Sequence, residues 1–520
     1  MRKSSAIKST SAIMLLMIVS KITGFLRDVL IASAFGTTYQ TDAYNMALII
    51  PSFIFSVFGA AISTTFIPIL SDIYKNKGKK EMYSFSNNVM TILMIITFVL
   101  CILGICLSPI LVKILAPNFT GKTYELTVIL SRIAMINLIF MSLNSGFTAI
   151  LQTLEDFVGP ALIGIVLNIP IIIYVLMGND FGIYGLIGAT VIGNGLQILV
   201  QVPWLIKHSY KYKVKFNIND KRLKKLLYLV IPVVIGTGVN QINSLIDKML
   251  GSGLPEGSIS ALNFSSKVNG LVYSIFASAV VTVVYPMLSK EGTNHDKNKF
   301  KNYISKSISN IFLIIVPATI GMIILNKPII EFIFMRGAFN TESVDMTAYA
   351  LMFLSIGVVF YGTRDVFNRA FYSLQDTKTP MINGVLGVLI NIILNLILVK
   401  YMGIGGLALA TSISAAVTSI LLHISLNKKI GSVINKKARW DIVKIIMSSI
   451  IMGSVTYFYY NFVVKLNMIS NSIVLFSSIF VGILCYGICI IILKPSGFNY
   501  FMNIIKSKLK ITNKEVVSKE

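Results

Sequence analysis

Residues 92–111, ILMIITFVLCILGICLSPIL, form a run of twenty residues without a charge. A helix needs roughly 20 mostly apolar residues to cross the hydrocarbon core of a bilayer. The whole chain follows the same pattern, because 55% of its 520 residues are hydrophobic and only 13% are charged. Soluble proteins average about 45–50% apolar and about 25% charged residues. The sequence therefore predicts an all-α polytopic membrane protein.

Similar apolar runs recur along the chain between clusters of glycine, proline, asparagine and lysine. They predict about fourteen transmembrane helices, near residues 11–35, 42–72, 84–115, 125–154, 158–178, 183–206, 226–249, 258–289, 303–325, 343–374, 380–400, 404–426, 441–464 and 470–493. The first run follows a short basic N-terminus, as in a signal peptide. It contains charges, lacks a convincing cleavage site and precedes many more spans, so we expect it to be retained.

The basic residues concentrate in alternate loops. The net charge of +25 invites a nucleic-acid interpretation. However, the loops on the side of the N-terminus hold about six times as many lysines and arginines as the opposite set. The positive-inside rule explains this asymmetry. It predicts an even number of spans, both termini in the cytoplasm, and no nucleic-acid partner.

Two halves of the chain resemble each other. The residues Phe147, Leu154, Asp156, Pro160 and Gly164 recur 220 positions later as Phe367, Leu374, Asp376, Pro380 and Gly384. Two further groups, which begin at Ala61 and Gly182, recur at offsets of 218 and 221. Six spans separate equivalent positions, so both halves face the same way across the membrane. Such a parallel repeat is typical of transporters whose substrate path runs between the halves.

The repeat and the loop charges predict a domain organisation. It consists of an N-terminal lobe (1–206, spans 1–6), a basic cytoplasmic linker (207–225), a C-terminal lobe (226–426, spans 7–12), spans 13 and 14 (427–493) and a basic cytoplasmic tail (494–520).

Several charges lie inside the predicted spans. They are Lys21, Arg27 and Asp28 in span 1, Asp42 in span 2, Arg132 in span 4, Asp247 and Lys248 in span 7, Lys267 in span 8, and Arg364, Asp365 and Arg369 in span 10. A charge at the centre of a spanning helix costs roughly 2.5–3.5 kcal/mol on insertion scales. Each must therefore face a polar cavity, pair with another charge or reach an interface.

These charges fall into two groups, one with a structural or coupling role and one that can bind a ligand. Asp365 and Arg369 stand at i and i+4 and can form a structural ion pair. Arg132, Asp247, Lys248 and Arg364 are candidates for structural or coupling roles. Lys21, Arg27 and Lys267 outnumber the acids near them, and a cavity with surplus positive charge favours an anionic ligand. Arginine can bind a phosphate through two parallel hydrogen bonds, and lysine supplies a point charge.

The sequence contains no recognisable catalytic signature. It lacks a Walker A loop, an HExxH motif and a nucleophile elbow. The three histidines are scattered, and the four cysteines lie in apolar runs as small hydrophobes. We therefore expect neither an enzyme nor a metal or cofactor site, apart from a coupling cation of unknown identity.

The residues that resemble a known family are spread over nearly the whole chain. They are SKITGFLRD at 20–28, Phe35-Gly36, TDAY at 41–44, FIPIL at 66–70, Gln241-Ile242-Asn243, LPEGS at 254–258 and RAFYSLQDTKTP at 369–380. This combination resembles the MurJ/MviN lipid II flippases of the multidrug/oligosaccharidyl-lipid/polysaccharide exporter superfamily. The resemblance implies two six-helix lobes plus two C-terminal helices, in agreement with the repeat.

The resemblance also implies an activity and a site. Such a protein carries lipid II, the undecaprenyl-diphosphate-linked peptidoglycan precursor, from the inner to the outer leaflet of the bacterial plasma membrane by alternating access, and acts as a monomer. The cationic residues of the family's cavity correspond to Lys21, Arg27 and Lys267, and its acidic partners to Asp28 and Asp42.

This chain departs from the family at four positions. Lysine replaces a common arginine at Lys21 and Lys267, an expected arginine falls on Phe55, and an expected acid falls on Ser266. An alternative cargo therefore stays open, namely another lipid-linked oligosaccharide for a capsule or a teichuronic-type polysaccharide. A drug antiporter of the same superfamily is disfavoured by the surplus of basic residues. Asp247 and the span 11 asparagines Asn383, Asn391 and Asn395 are candidates for a sodium site, and the membrane potential alone is the alternative driving force.

Overall fold

The computed structural model describes residues 2–61, 65–277, 288, 297–466 and 470–495. Within these ranges the chain forms sixteen α-helices and a short π-helical segment at Tyr273–Ala277. The predicted all-α class is confirmed.

The chain forms two compact units, Met1–Ser260 with Arg336–Ser343, and Ala261–Met335 with Val344–Glu520. The helices of the first unit are α1 (Arg2–Phe35), α2 (Tyr39–Ala61), α3 (Ile67–Leu115), α4 (Gly121–Ala134), α5 (Asn137–Thr153), α6 (Val158–Leu176), α7 (Gly182–Lys207) and α8 (Lys221–Gly251). Helix α9 (Ser258–Val272) begins at the end of this unit. The predicted lobe boundaries at 206 and 226 stay predictions.

The second unit contains the remaining helices. They are α10 (Lys297–Ile324), α11 (Asn326–Phe334), most of α12 (Thr341–Ser373), α13 (Lys378–Met402), α14 (Ile404–Ile430), α15 (Lys436–Leu466) and α16 (Asn471–Leu493). Its apolar core joins residues of α10, α12 and α14, among them Ile308, Phe367 and Leu422.

In the described part of the chain, ten helices are long and apolar enough to cross a membrane. They are α3, α4 together with α5, α6, α7, α10, and α12 to α16. These helices coincide with predicted spans 3–6 and 9–14. The total of fourteen stays a prediction.

Helix α3 consists of two helical segments that meet at a kink. The kink lies at Gly78, whose φ of 79° and ψ of 177° are not helical. It falls among the lysines at 75–80, where the sequence predicted a break between spans 2 and 3, and glycine adopts a positive φ without a steric penalty. We call this end of the first unit, with residues 75–80 and 207–225, the lysine-rich end.

Glycines allow the closest helix approaches in the first unit. Helix α6 packs against α1 on one side and α7 on the other. A Cβ atom at Gly193 of α7 would lie 2.5 Å from the carbonyl oxygen of Leu167 in α6. Five residues earlier, a Cβ atom at Gly188 would have no atom within 4 Å. Only the first position therefore needs glycine for packing.

The repeated aspartates form the same type of turn in each unit. The residue before each of them has a positive φ, 60° at Glu155 and 57° at Gln375. Asp156 accepts the backbone N–H of Val158 and lies 3.4 Å from Lys207 Nζ and 3.0 Å from His208 Nε2.

In the second unit, Asp376 accepts the backbone N–H of Thr379 at 3.0 Å, and its Oδ2 lies 2.5 Å from Lys429 Nζ. The hydrogen bonds from Lys429 and from the backbone of Thr379 lower the pKa of Asp376 to about 2. Each turn thus ties the start of one helix to the end of the next.

We predict that Gly193→Ala destabilises the protein and that Gly188→Ala does not. The added methyl group at 193 would force α7 away from the backbone of α6, and overpacking of this kind costs about 1–3 kcal/mol. At 188 the substitution only improves helix propensity. Melting temperatures of the two variants in the same detergent test this. Equal melting temperatures would contradict the packing role of Gly193.

We predict a pH-dependent effect for Lys429→Met. Because the folded pKa of Asp376 lies below its unfolded value of about 3.9, the carboxylate adds stability above that pH and loses it as the pH falls toward 2. Removing Lys429 should cost up to about 1 kcal/mol at pH 7, as for other exposed pairs. This loss should shrink below pH 4.

Thermal unfolding of the purified protein between pH 7 and pH 3 measures the difference. The neighbouring exposed Lys428→Met is the control, since the described residues give it no ion-pair partner. A loss that stays constant over the whole range would refute the ion-pair explanation.

Candidate functional site

Helix α1 carries an ion pair within predicted span 1. The Nε and Nη2 groups of Arg27 both donate to Oδ1 of Asp28, at 3.0 and 2.7 Å. The side chains are only 20% and 12% exposed, respectively. A buried charge is stabilised when it is both paired and hydrogen-bonded. The ion pair with Asp28 therefore stabilises the charged guanidinium of Arg27 in a mostly buried position.

Asn168 of α6 completes the surroundings of Arg27. Its Oδ1 accepts the Nη1–H of Arg27 at 3.0 Å. Its Nδ2 donates to the carbonyl of Gly164 at 2.7 Å and to the hydroxyl of Thr23 at 3.3 Å. These two donor bonds turn the amide so that its oxygen faces the guanidinium. The sequence interpretation missed Asn168, and the available signal was a single asparagine within the apolar run of span 5.

Small residues bring α1 and α6 close enough for this contact. A Cβ atom at Gly164 would lie 1.9 Å from Ser20 Oγ, and one at Gly24 would lie 3.5 Å from Asn168 Nδ2. A side chain at Gly164 would therefore force Ser20 to move, whereas a methyl group at Gly24 would make an ordinary contact with Asn168.

Arg27 keeps hydrogen-bond donors that Asp28 and Asn168 do not use, and Lys21 adds positive charge. A guanidinium has five N–H donors, and three of them are accounted for by Asp28 and Asn168. The remaining two, one on each terminal nitrogen, have no acceptor among the residues that the structure describes and can therefore serve a ligand. Lys21 is exposed and has no hydrogen-bond or ion-pair partner among the described residues. Because Asp28 balances Arg27, Lys21 supplies the surplus positive charge of predicted span 1 (11–35).

Asp42, on α2, has a different set of partners. Its Oδ2 accepts the N–H of Gly257 at 2.7 Å, and its Oδ1 accepts the N–H and the hydroxyl of Ser260 at 2.8 and 2.5 Å. The carboxylate thus occupies the N-terminus of α9, where unpaired N–H groups favour negative charge. Asp42 is 4% exposed, so in this conformation it holds α9.

The predicted charges of the second unit lie on α9 and α12. Lys267 is exposed on α9. Asp365 accepts a hydrogen bond from the hydroxyl of Tyr273 and lies 3.9 Å from Nε of Arg364. The Arg364 guanidinium also stacks over the ring of Tyr361, 5.2 Å from its centroid. The predicted pairing of Asp365 with the exposed Arg369 stays a prediction.

The other charged candidates lie on α4 and α8, and Lys248 of α8 is close enough to Asp42 to interact with it electrostatically. Arg132 is exposed on α4, and Asp247 and Lys248 are half-buried near the end of α8. Within the described ranges, no three histidine, cysteine or acidic side chains are placed to hold a metal ion.

Comparisons with known proteins give one consistent result. A sequence model of the family described as lipid II flippase MurJ matches residues 31–484. The chain is 30% identical to a probable lipid II flippase MurJ of Buchnera aphidicola subsp. Baizongia pistaciae, over 80% of this chain and 82% of the relative. It is also 30% identical to a probable lipid II flippase MurJ of Thermotoga maritima, over 87% and 90%.

Solved structures agree with the sequence relatives. A structure described as lipid II flippase MurJ in an inward closed conformation matches with a TM-score of 0.80 and 30% identity. The match covers 95% of this chain and 99% of that one. An inward-facing multidrug resistance MATE family transporter matches with a TM-score of 0.68 at 14% identity, over 80% and 95% of the chains. The second likeness shows the fold alone.

We predict that Arg27 and Asn168 are energetically coupled. In a double-mutant cycle of Arg27→Leu and Asn168→Leu, the double variant should lose less stability than the sum of the single variants. Residues in direct contact typically couple by about 0.5–3 kcal/mol. Unfolding by sodium dodecyl sulfate in mixed micelles measures the free energy of unfolding of the parent, the two single variants and the double variant. The control cycle combines Lys21→Leu with Asn168→Leu and should be additive, so equal coupling in both cycles would contradict the contact.

Proposed function

The chain belongs to the MurJ family of lipid II flippases, and we infer from this membership that it translocates lipid II across the bacterial plasma membrane. The observation that carries the inference is the family match over residues 31–484, supported by a solved MurJ structure that covers 95% of the chain. The family is one of transporters, which places the chain in peptidoglycan synthesis and cell-wall biogenesis.

The chemistry of the cargo explains the charges of α1. A diphosphate cannot cross about 30 Å of hydrocarbon without groups that replace its hydration. Arg27 is held by Asp28 and Asn168 and keeps two donors unused. Such a pre-positioned fork loses little conformational freedom when it binds a phosphate. Lys21, a flexible cation, can neutralise a second phosphate charge.

The proposed site therefore has residues with distinct roles. Lys21, Arg27 and Lys267 supply positive charge to the headgroup, and Asp28 orients Arg27. Asp42 acts through the start of α9 in the observed conformation, and it becomes available to other partners only when those three hydrogen bonds break. Arg132, Asp247, Lys248, Arg364, Asp365 and Arg369 are proposed as structural or coupling charges.

Orientation and mechanism follow from the loop charges and the family. We propose that both termini and the lysine-rich end lie in the cytoplasm, because the positive-inside rule sets this orientation. Lipid II is then loaded from the inner leaflet and released to the outer leaflet by alternating access. We propose a monomer without a cofactor, driven by the membrane potential or by a coupling cation.

Complementation of a strain depleted of its own flippase tests the function. The chain should restore growth, and a leaflet assay should show lipid II moving from the inner to the outer leaflet. Normal expression without any movement of lipid II would overturn the proposal. The lysines at 21 and 267 leave an alternative cargo open. If the chain moved only a lipid-linked capsule or teichuronic-type oligosaccharide, that cargo would replace lipid II in the proposal.

We predict that Arg27→Gln lowers lipid II flipping by about ten- to a hundred-fold. The substitution removes a charge-assisted hydrogen bond worth about 1.5–3 kcal/mol, and each 1.4 kcal/mol is a factor of about ten. The same leaflet assay measures the loss at matched expression. Lys122→Gln, an exposed basic residue at the start of α4, is the control and should flip normally. Full activity of Arg27→Gln would remove Arg27 from the site.

A further inference from the structure

The segment between α7 and α8 is fastened along α3. We call residues 208–220 the strap. The hydroxyl of Tyr83 donates to the carbonyl of His208 at 2.7 Å. Further along, the side-chain amide of Asn88 accepts the N–H of Asn217 at 2.6 Å and donates to its carbonyl at 2.9 Å. Backbone groups of an irregular segment are thus satisfied by side chains of a helix.

The strap rises along α3 and returns. After His208 at the level of Tyr83, the hydroxyl of Tyr212 lies 2.9 Å from that of Thr91. The chain then descends to Asn88 and to Asp220, whose partner Arg222 binds Glu81 at 2.8 Å. The first contact and the last lie near the lysine-rich end, and the middle lies two to three helical turns further along.

The turning point of the strap lies at the edge of the apolar run of α3. Thr91, which also accepts the N–H of Lys215 at 3.3 Å, lies three residues after Asn88, where the uncharged stretch 82–112 changes from a mixture of polar and apolar residues to mostly apolar ones. A helix needs roughly 20 apolar residues to cross the hydrocarbon core, so the predicted span 84–115 is long enough for its core-embedded part to start near Thr91. We therefore place the turning point near the depth where the hydrocarbon core begins.

The turning point presents apolar and basic side chains in alternation, KYKVKF at 211–216. Val214 is 79% exposed and Phe216 56% exposed, and Lys211 and Lys213 are also exposed. Lys215 donates to Ser84 and is already engaged. Apolar side chains that nothing in the first unit covers, flanked by unengaged cations, have the composition of segments that enter the boundary between headgroups and acyl chains.

We propose that the turning point of the strap is a binding site for anionic phospholipids. Val214 and Phe216 enter the headgroup–acyl boundary, and the ammonium groups of Lys211 and Lys213 bind lipid phosphates. The occupant is identified by charge complementarity, since anionic lipids attract juxtamembrane basic segments, and by the depth of Thr91. The assignment of this site to the cytoplasmic leaflet rests on the orientation proposed above. The lipid-binding site itself does not depend on that orientation.

The first test measures depth. Val214→Trp is placed in nanodiscs of phosphatidylglycerol and phosphatidylcholine with brominated acyl chains, and its fluorescence is compared with that of the parent, which contains Trp204 and Trp440. Added emission that is blue-shifted and quenched by bromine supports insertion. Asn219→Trp, on the descending limb, is the matched control and should be quenched less. Equal quenching, or no quenching at 214, would overturn the proposal.

The second test measures lipid binding. Lys211→Gln combined with Lys213→Gln should reduce the phosphatidylglycerol retained by the purified protein, counted by native mass spectrometry. The control combines Lys224→Gln with Lys225→Gln, two exposed lysines at the start of α8 that remove the same charge outside the strap. Loss in the first double variant alone supports a site. Equal loss in both, or no loss, would overturn it.

Native mass spectrometry identifies phosphatidylglycerol by its mass, so the lipid that is counted is phospholipid and not cargo. Lipid II flipping by the same variants is measured separately. Loss of phosphatidylglycerol with flipping intact supports the site, and failure of flipping by the parent chain would count against the proposed function only. Melting temperatures of the two double variants confirm that both are folded.

Discussion

A charge buried inside a protein loses the water that would hydrate it, and the Arg27–Asp28 pair shows how this chain compensates for that loss. Both groups are mostly buried, and the pair is completed by an amide from another helix. The contact between Arg27 and Asn168 also constrains how the helices pack. Helices α1 and α6 must approach closely, so Gly164 takes a position where a side chain would strike Ser20. The charged residues and the packing of these helices are therefore one arrangement.

The same principle governs the ends of the helices, where water is available but backbone groups still need partners. Asp42 satisfies the first N–H groups of α9. Asp156 and Asp376 do the same for α6 and α13 and add a contact with a basic residue of the following helix. Short acidic side chains thus fix helix starts in both units, and the repeat seen in the sequence has a counterpart in local hydrogen bonding.

The sequence predicted what depends on composition and missed what depends on partners. Apolar runs located the helices because bilayer thickness sets their length, and charge within a run singled out Arg27. The lysine cluster at 75–80 indicated a break between two spans, and the helical geometry is interrupted there at Gly78. Asn168 and the Asn88–Asn217 pairing were missed because their partners lie 141 and 129 residues away. An asparagine alone does not reveal which distant group it serves.

The pairing of Asn88 with Asn217 also has a mechanical consequence. Thirteen residues of irregular chain would ordinarily be flexible, with a fluctuating end-to-end distance. The strap is instead bound to α3 at its start, middle and end, so its length can change little. Strain applied at the start of α8 would be transmitted to α3 instead of being absorbed.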